Sequence, residues 1–202
     1  MVIVGLTGQT GAGKSTVCEK LKTYGCYHID ADRIAHSVYE KGSAVLNELC
    51  KAFGSDILNS DGTLNRKTLA AIAFSSEENI LKLNSAVHPA VTSQIREIIE
   101  EQRVLGTKTV IIDAIALFES GENKLCDFTA AVTAPREIRK NRVKKRDNLT
   151  DDEANLRINA QADEQFYIDR ADVIVKNYLP YDLNDEVKKI VLWINKKESE
   201  KE

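Results

Sequence analysis

Short apolar runs alternate with amphipathic stretches of helical period along most of the chain. Met1 to Leu6 is an apolar run that stops at Thr7-Gly8, which predicts a strand buried on both faces. From Lys14 to Tyr24, the residues Val17, Leu21 and Tyr24 recur at helical spacing, and Gly25 supplies a C-terminal cap. Tyr27-His28-Ile29 leads into Asp30 as a second strand, so strand, helix and strand follow one another as in a parallel βαβ unit. From Arg33 to about Gln102 the pattern is mostly helical. In it Ser75 and Glu78 read as a capping box, Asp61-Gly62 as a turn and Pro89 as a helix start. Thr109 to Asp113, Phe128 to Thr133 and Asp172 to Val175 predict three further strands. Pro135 opens a basic helix through Arg146. Thr150 and Glu153 form a second capping box, for a helix through about Phe166. Val187 to Ile194 predicts a last amphipathic helix, followed by a charged, fraying tail from Lys196 to Glu202.

This alternation predicts an α/β fold with a five-stranded parallel sheet flanked by helices. The helical stretch 33–102 is too long for a simple crossover and is expected to be an insertion forming a substrate wall. Residues 136–166 are expected to form a helical hairpin lid, leaving a core of about 1–32, 103–135 and 167–195.

Composition narrows the class without changing this layout. The 202 residues suffice for one sizeable core, and 43% hydrophobic with 29% charged residues is ordinary for a soluble globular chain. A net charge of -3 argues against a general nucleic-acid or membrane-surface binder. No apolar run approaches the roughly 18 residues of a membrane span. Cys18, Cys26, Cys50 and Cys126 form no C-x-x-C and have no His at metal-ligand spacing, so they read as thiols in a reducing compartment. The chain opens without a secretory leader pattern, and the expectation is a cytoplasmic protein, monomeric or weakly self-associating.

The candidate chemistry begins at Gly8-Gln9-Thr10-Gly11-Ala12-Gly13-Lys14-Ser15, between the first strand and first helix. This is the pattern of a P-loop. Glycines let the backbone curl around phosphate oxygens, and the following helix presents its positive end to the same anion. Gly11, Ala12, Gly13, Lys14, Ser15 and Thr16 are the expected contacts to ATP, with Lys14 reaching the β- and γ-phosphates and the Ser15 hydroxyl ligating Mg²⁺.

Asp30 and Asp32 follow the second strand, at the end of a parallel sheet where ligands gather. Either can be a helix cap, or one can orient and deprotonate an attacking hydroxyl. Arg139, Arg142 and Arg146 fall at i, i+3 and i+7 and share a helix face. That face is either simply solvated or a lid surface that neutralises charge on a transferred phosphoryl group. Arg157 and Gln161, one turn apart on the return helix, are candidates to face the nucleotide. Asp113 ends the third strand, either as a structural residue or as a Mg²⁺ ligand, direct or through water. His88 is either structural or a contact to substrate.

Taken together, these residues resemble the dephospho-coenzyme A kinase family over about Val2 to Ile194. The resemblance rests on Gly5-Leu6-Thr7-Gly8 opening the P-loop, Ile29-Asp30-Ala31-Asp32-Arg33-Ile34-Ala35-His36, Phe53-Gly54 and Asp61-Gly62-Thr63-Leu64-Asn65-Arg66. It continues through His88-Pro89, Leu117-Phe118-Glu119, Arg142-x-x-x-Arg146, Gln161, and Ala171-Asp172 leading to Asn177. It departs from the family at Ile115-Ala116-Leu117, where a proline and paired leucines are usual, and at Tyr178-Leu179-Pro180, where a glycine commonly follows the asparagine. The resemblance implies ATP-dependent phosphorylation of the ribose 3′-hydroxyl of dephospho-coenzyme A. It makes Asp32 the catalytic base beside Lys14 and Arg142, Arg146 a nucleotide contact, and Arg66 and His88 acceptor contacts. A kinase of a nucleoside or another small hydroxyl acceptor is the rival reading.

Overall fold

Five strands carry the architecture: β1 (Val2–Thr7), β2 (Tyr27–Asp30), β3 (Thr109–Asp113), β4 (Phe128–Thr133) and β5 (Val173–Lys176). The structure, a computed structural model, describes residues 1–201. The strands pair in the order β2-β3-β1-β4-β5, and every pairing is parallel. All residues of β3 and β4 are buried, as continuous apolar strands in a sheet covered on both faces must be.

Among the described residues the chain forms nine α-helices: α1 (Lys14–Lys22), α2 (Ala31–Ser37), α3 (Ala44–Phe53), α4 (Arg66–Ala73), α5 (Glu77–Val104), α6 (Arg136–Asp147), α7 (Asp151–Asn159), α8 (Glu164–Ile168) and α9 (Leu183–Ser199). No helix among the described residues is long and apolar enough to cross a membrane.

The chain divides into two compact units. One comprises Met1–Asp30 with Glu101–Glu202, and the other is Ala31–Glu100. In the first, Val2, Val4 and Leu6 of β1 join Val17 and Leu21 of α1, Phe128 and Ala130 of β4, and Val187, Ile190 and Ile194 of α9 in one buried cluster. Asp172 ties β4 to β5 by accepting from the Thr129 amide at 2.8 Å and hydroxyl at 2.9 Å. In the second unit, Ser43 caps α3 by accepting from the Leu46 amide, and Asn65 caps α4 by accepting from the Thr68 amide.

Six expectations are corrected. The cap of α5 is Ser76, whose hydroxyl accepts from the Asn79 amide at 3.2 Å. Ser75 instead donates to the Ile72 carbonyl at 2.7 Å. Pro89 starts no helix but lies inside the 28-residue α5. Val87, Val91, Ile95 and Ile99 are buried at a four-residue interval through this region, and that packing offsets the ladder bond lost at a proline. The helix from Thr150 ends at Asn159, because Asp163 caps a separate helix, α8, by accepting from the Phe166 amide at 2.9 Å. The last helix is longer than Val187 to Ile194. Nor does the tail fray from Lys196 to Lys201: α9 continues to Ser199, and Lys201 Nζ donates to the Met1 carbonyl at 2.8 Å and to Asp127 at 2.7 Å, while Glu202 lies outside the described residues. Finally, Arg139 does not share a solvent-facing surface with Arg142 and Arg146. It is 5% exposed, with Nε donating to the Ala134 carbonyl.

Candidate active site

The loop between β1 and α1 is tightly enclosed. Gly8 has φ 139°, and a Cβ there would collide with the Val132 carbonyl of β4. Gly13 has φ 98°, and a Cβ there would overlap the Asn177 side-chain amide. Both positions therefore require glycine for conformation and for clearance. Gly13 leads into α1 without any side chain capping the helix, and the first turn of α1 contains no acid. The helix start thus keeps its positive partial charge and unsatisfied amides for an external anion.

Residues from three other segments hold the loop. Arg142 of α6 donates from Nη1 to the carbonyls of Gly11 at 3.3 Å and Ala12 at 3.1 Å, and from Nη2 to the Asn177 carbonyl at 2.8 Å. Asn177, just past β5, donates from Nδ2 to the Ala12 carbonyl at 2.8 Å. Gln161, in the turn between α7 and α8, accepts from the Thr10 amide at 2.7 Å, and Gln9 Nε2 donates to the Ala162 carbonyl at 2.7 Å. These contacts hold the loop in its curled form.

Sheet register brings more chemistry to the same edge. Leu6 of β1 and Asp30 of β2 both lie level with Asp113 of β3, so three strand ends are aligned beside the loop. Lys14 Nζ stands 3.9 Å from Asp113 Oδ1, with both side chains largely buried. Asp113 Oδ2 has the Cys18 thiol at 3.4 Å and His28 Nε2 at 3.3 Å. Its Oδ1 has no hydrogen-bond partner among the described residues. Burial, reinforced by this carboxylate, pushes the Cys18 thiol well above the usual range.

Other sequence candidates take different places. Ser15 and Thr16 are exposed in the first turn of α1. Arg146 forms a two-point pair with Asp147, at 2.7 and 2.8 Å, and Arg157 donates to the same carboxylate at 2.6 Å. These hydrogen bonds and charges hold Asp147 below the usual carboxylate range. Arg157 is thus engaged with Asp147, while Gln161 reaches the loop backbone. In the second unit, Asp32 lies in the first turn of α2, Arg66 is the first residue of α4 and donates to the His36 carbonyl at 3.3 Å, and His88 is within α5. Desolvation lowers the His88 pKa.

Two features escaped the sequence reading. Asn177 matches the family without revealing a task, because its contact spans 165 positions of chain. The grouping of Cys18, His28 and Asp113 was hidden because it depends on β2 and β3 pairing in one register.

The family described as dephospho-CoA kinase matches residues 2–180. A dephospho-CoA kinase of Corynebacterium diphtheriae is 42% identical over 177 residues, covering 88% of this chain and 88% of that relative. Among solved structures, a protein of Thermus thermophilus superposes with TM-score 0.78 at 30% identity, covering 97% of each chain. The dephospho-CoA kinase of Campylobacter jejuni does so with TM-score 0.68 at 26% identity, covering 97% of this chain and 98% of that one.

Proposed function

Because the chain belongs to the dephospho-CoA kinase family, we propose that it transfers the γ-phosphoryl group of ATP to the ribose 3′-hydroxyl of dephospho-coenzyme A, giving coenzyme A and ADP. The observation that carries the phosphoryl-transfer part of the reading is the phosphate loop, held by Arg142, Asn177 and Gln161 with Lys14 at the foot of an uncapped α1, and the acceptor follows from the family.

Phosphoryl transfer asks little covalent work of a protein. It requires an aligned nucleophile and neutralisation of charge on the transferred group. Gly11 to Thr16 bind the triphosphate through the loop and the helix start. Lys14 supplies positive charge at the β- and γ-phosphates. Arg142, anchored to the loop carbonyls, keeps the cradle in shape and adds a second cation beside it. Asp32 orients the acceptor hydroxyl and takes its proton, while Arg66 and His88 bind the acceptor. Residues 136–166 act as the lid over the loop they brace, and Arg146 joins the nucleotide contacts.

Mg²⁺ fits the residues present. Ser15 is exposed at the start of α1, and the buried Asp113 has one oxygen without a hydrogen bond. Held by these two, the ion would neutralise charge between adjacent phosphates.

The base assignment is tested with Asp32→Asn. ATP binding is expected to persist while turnover falls by about 10²-fold or more. Near-normal turnover in the folded variant would remove Asp32 from the base role.

A further inference from the structure

We infer that Cys18, His28 and Asp113 form a binding site for a borderline-soft divalent cation such as Zn²⁺, separate in chemistry from a Mg²⁺ site at the phosphate loop. The three side chains come from α1, β2 and β3, and one ligand atom from each lies within 4.8 Å of the other two. The two measured edges of this triangle, both ending on Asp113 Oδ2, are 3.4 Å to the thiol and 3.3 Å to the imidazole. Ligand atoms on a tetrahedral zinc ion stand roughly 3.3–3.6 Å apart, given metal–ligand bonds of about 2.0–2.3 Å. Those two edges therefore already have the length that coordination requires.

The state of Asp113 points the same way. It is only 8% exposed, yet Oδ1 has no hydrogen bond among the described residues, and the nearest ammonium, on Lys14, is 3.9 Å away. A thiol at 3.4 Å is a weak donor to Oδ2. Oδ2 also has His28 Nε2 at 3.3 Å, so both other ligand groups already gather on this one oxygen, and a coordinated cation would compensate the buried charge directly.

The donor set selects the ion. One sulfur, one imidazole nitrogen and one carboxylate oxygen suit Zn²⁺ or Co²⁺, whereas Mg²⁺ prefers oxygen alone. The two sides of the carboxylate also differ, with Oδ1 nearer Lys14 and Oδ2 between the thiol and the imidazole. Three protein ligands leave a fourth position open for water. On binding, the Cys18 proton leaves for solvent and the thiolate bonds to the metal. Since Asp113 also stands beside Lys14, occupancy would couple this site to the phosphate loop. The test below does not use phosphoryl transfer, so its failure and that of the kinase reading stay distinguishable.

The nucleotide-free full chain is titrated with Co²⁺ while thiolate-to-cobalt charge-transfer absorption is followed. Zn²⁺ affinity is measured by competition with a chromophoric chelator in excess Mg²⁺. One equivalent should bind and produce the thiolate band. Cys18→Ser should abolish the band, and Cys18→Ser and His28→Asn should each weaken Zn²⁺ binding by at least about tenfold. Cys50→Ser, which alters a partly exposed thiol elsewhere, should leave both readouts intact. The proposal is overturned if no thiolate band appears, if the band persists in folded Cys18→Ser, or if it is lost with Cys50. Should Cys18→Ser fail to fold by circular dichroism, His28→Asn decides, and unchanged Zn²⁺ affinity in that folded variant overturns the site.

Discussion

Lys14 approaches Asp113 no closer than 3.9 Å, too far for a hydrogen bond and close enough for charge to matter. An ammonium held this loosely stays available to phosphate oxygens. Lys14→Ala is therefore expected to lower kcat by about 10²–10³-fold, in the range of other lost charge-stabilising donors, with little change in melting temperature. Steady-state kinetics beside a thermal melt checks both halves. Arg142 behaves differently, because its guanidinium engages three backbone carbonyls. Its removal leaves those acceptors short of partners and loosens the loop, so Arg142→Ala should raise KM for ATP as well as lower kcat. Arg142→Lys should rescue poorly, since a point charge cannot reproduce the planar fork. A kcat loss with unchanged KM would leave the bracing role without support. Lys14 and Ser15 can be named from the sequence because the tasks proposed for them follow from spacing within one short motif. Arg142 was legible as a candidate, but its partners were not, because it meets Gly11 across 131 residues and Asn177 across 35.

At the scale of elements, local signals were read well where local chemistry decides. Thr109–Asp113 and Phe128–Thr133 form strands over the expected spans, and Thr150 with Glu153 forms the expected capping box. The reading failed where tertiary packing overrides a local preference. Pro89 signals a helix boundary in isolation, yet buried contacts on either side carry α5 through it. Residues 160–163 continue a helical pattern, but Gln161 and Ala162 are bound to the phosphate loop and break the helix there. One consequence at this scale concerns pH. Burial depresses the His88 pKa within α5. The unfolded chain takes up the proton near ~6.5, and the folded chain does so only at lower pH. Unfolding therefore binds a proton in that window, so His88 costs no stability above about 6.5 and lowers stability as pH falls below it. Urea melts at neutral and mildly acidic pH should show a slope that is shallower in His88→Gln. Identical slopes in the two proteins would remove His88 as a contributor.

For the whole molecule, alternating strands and helices announced a parallel sheet, but not the strand order β2-β3-β1-β4-β5. That order is what sets Asp113 beside β1 and places the ends of β1, β2 and β3 level at the phosphate loop. No local pattern encodes it, because it depends on which buried faces pair. The P-loop alone, likewise, specifies a held triphosphate and says nothing of the acceptor. The acceptor is named by the family to which the chain belongs, and the central claim is therefore tested by acceptor choice. ADP release should be measured with dephospho-coenzyme A and, separately, with adenosine, nucleoside monophosphates and pantothenate. Transfer to dephospho-coenzyme A is expected to exceed every rival in kcat/KM by at least about a hundredfold, whereas an equal or higher value for any rival would contradict the account.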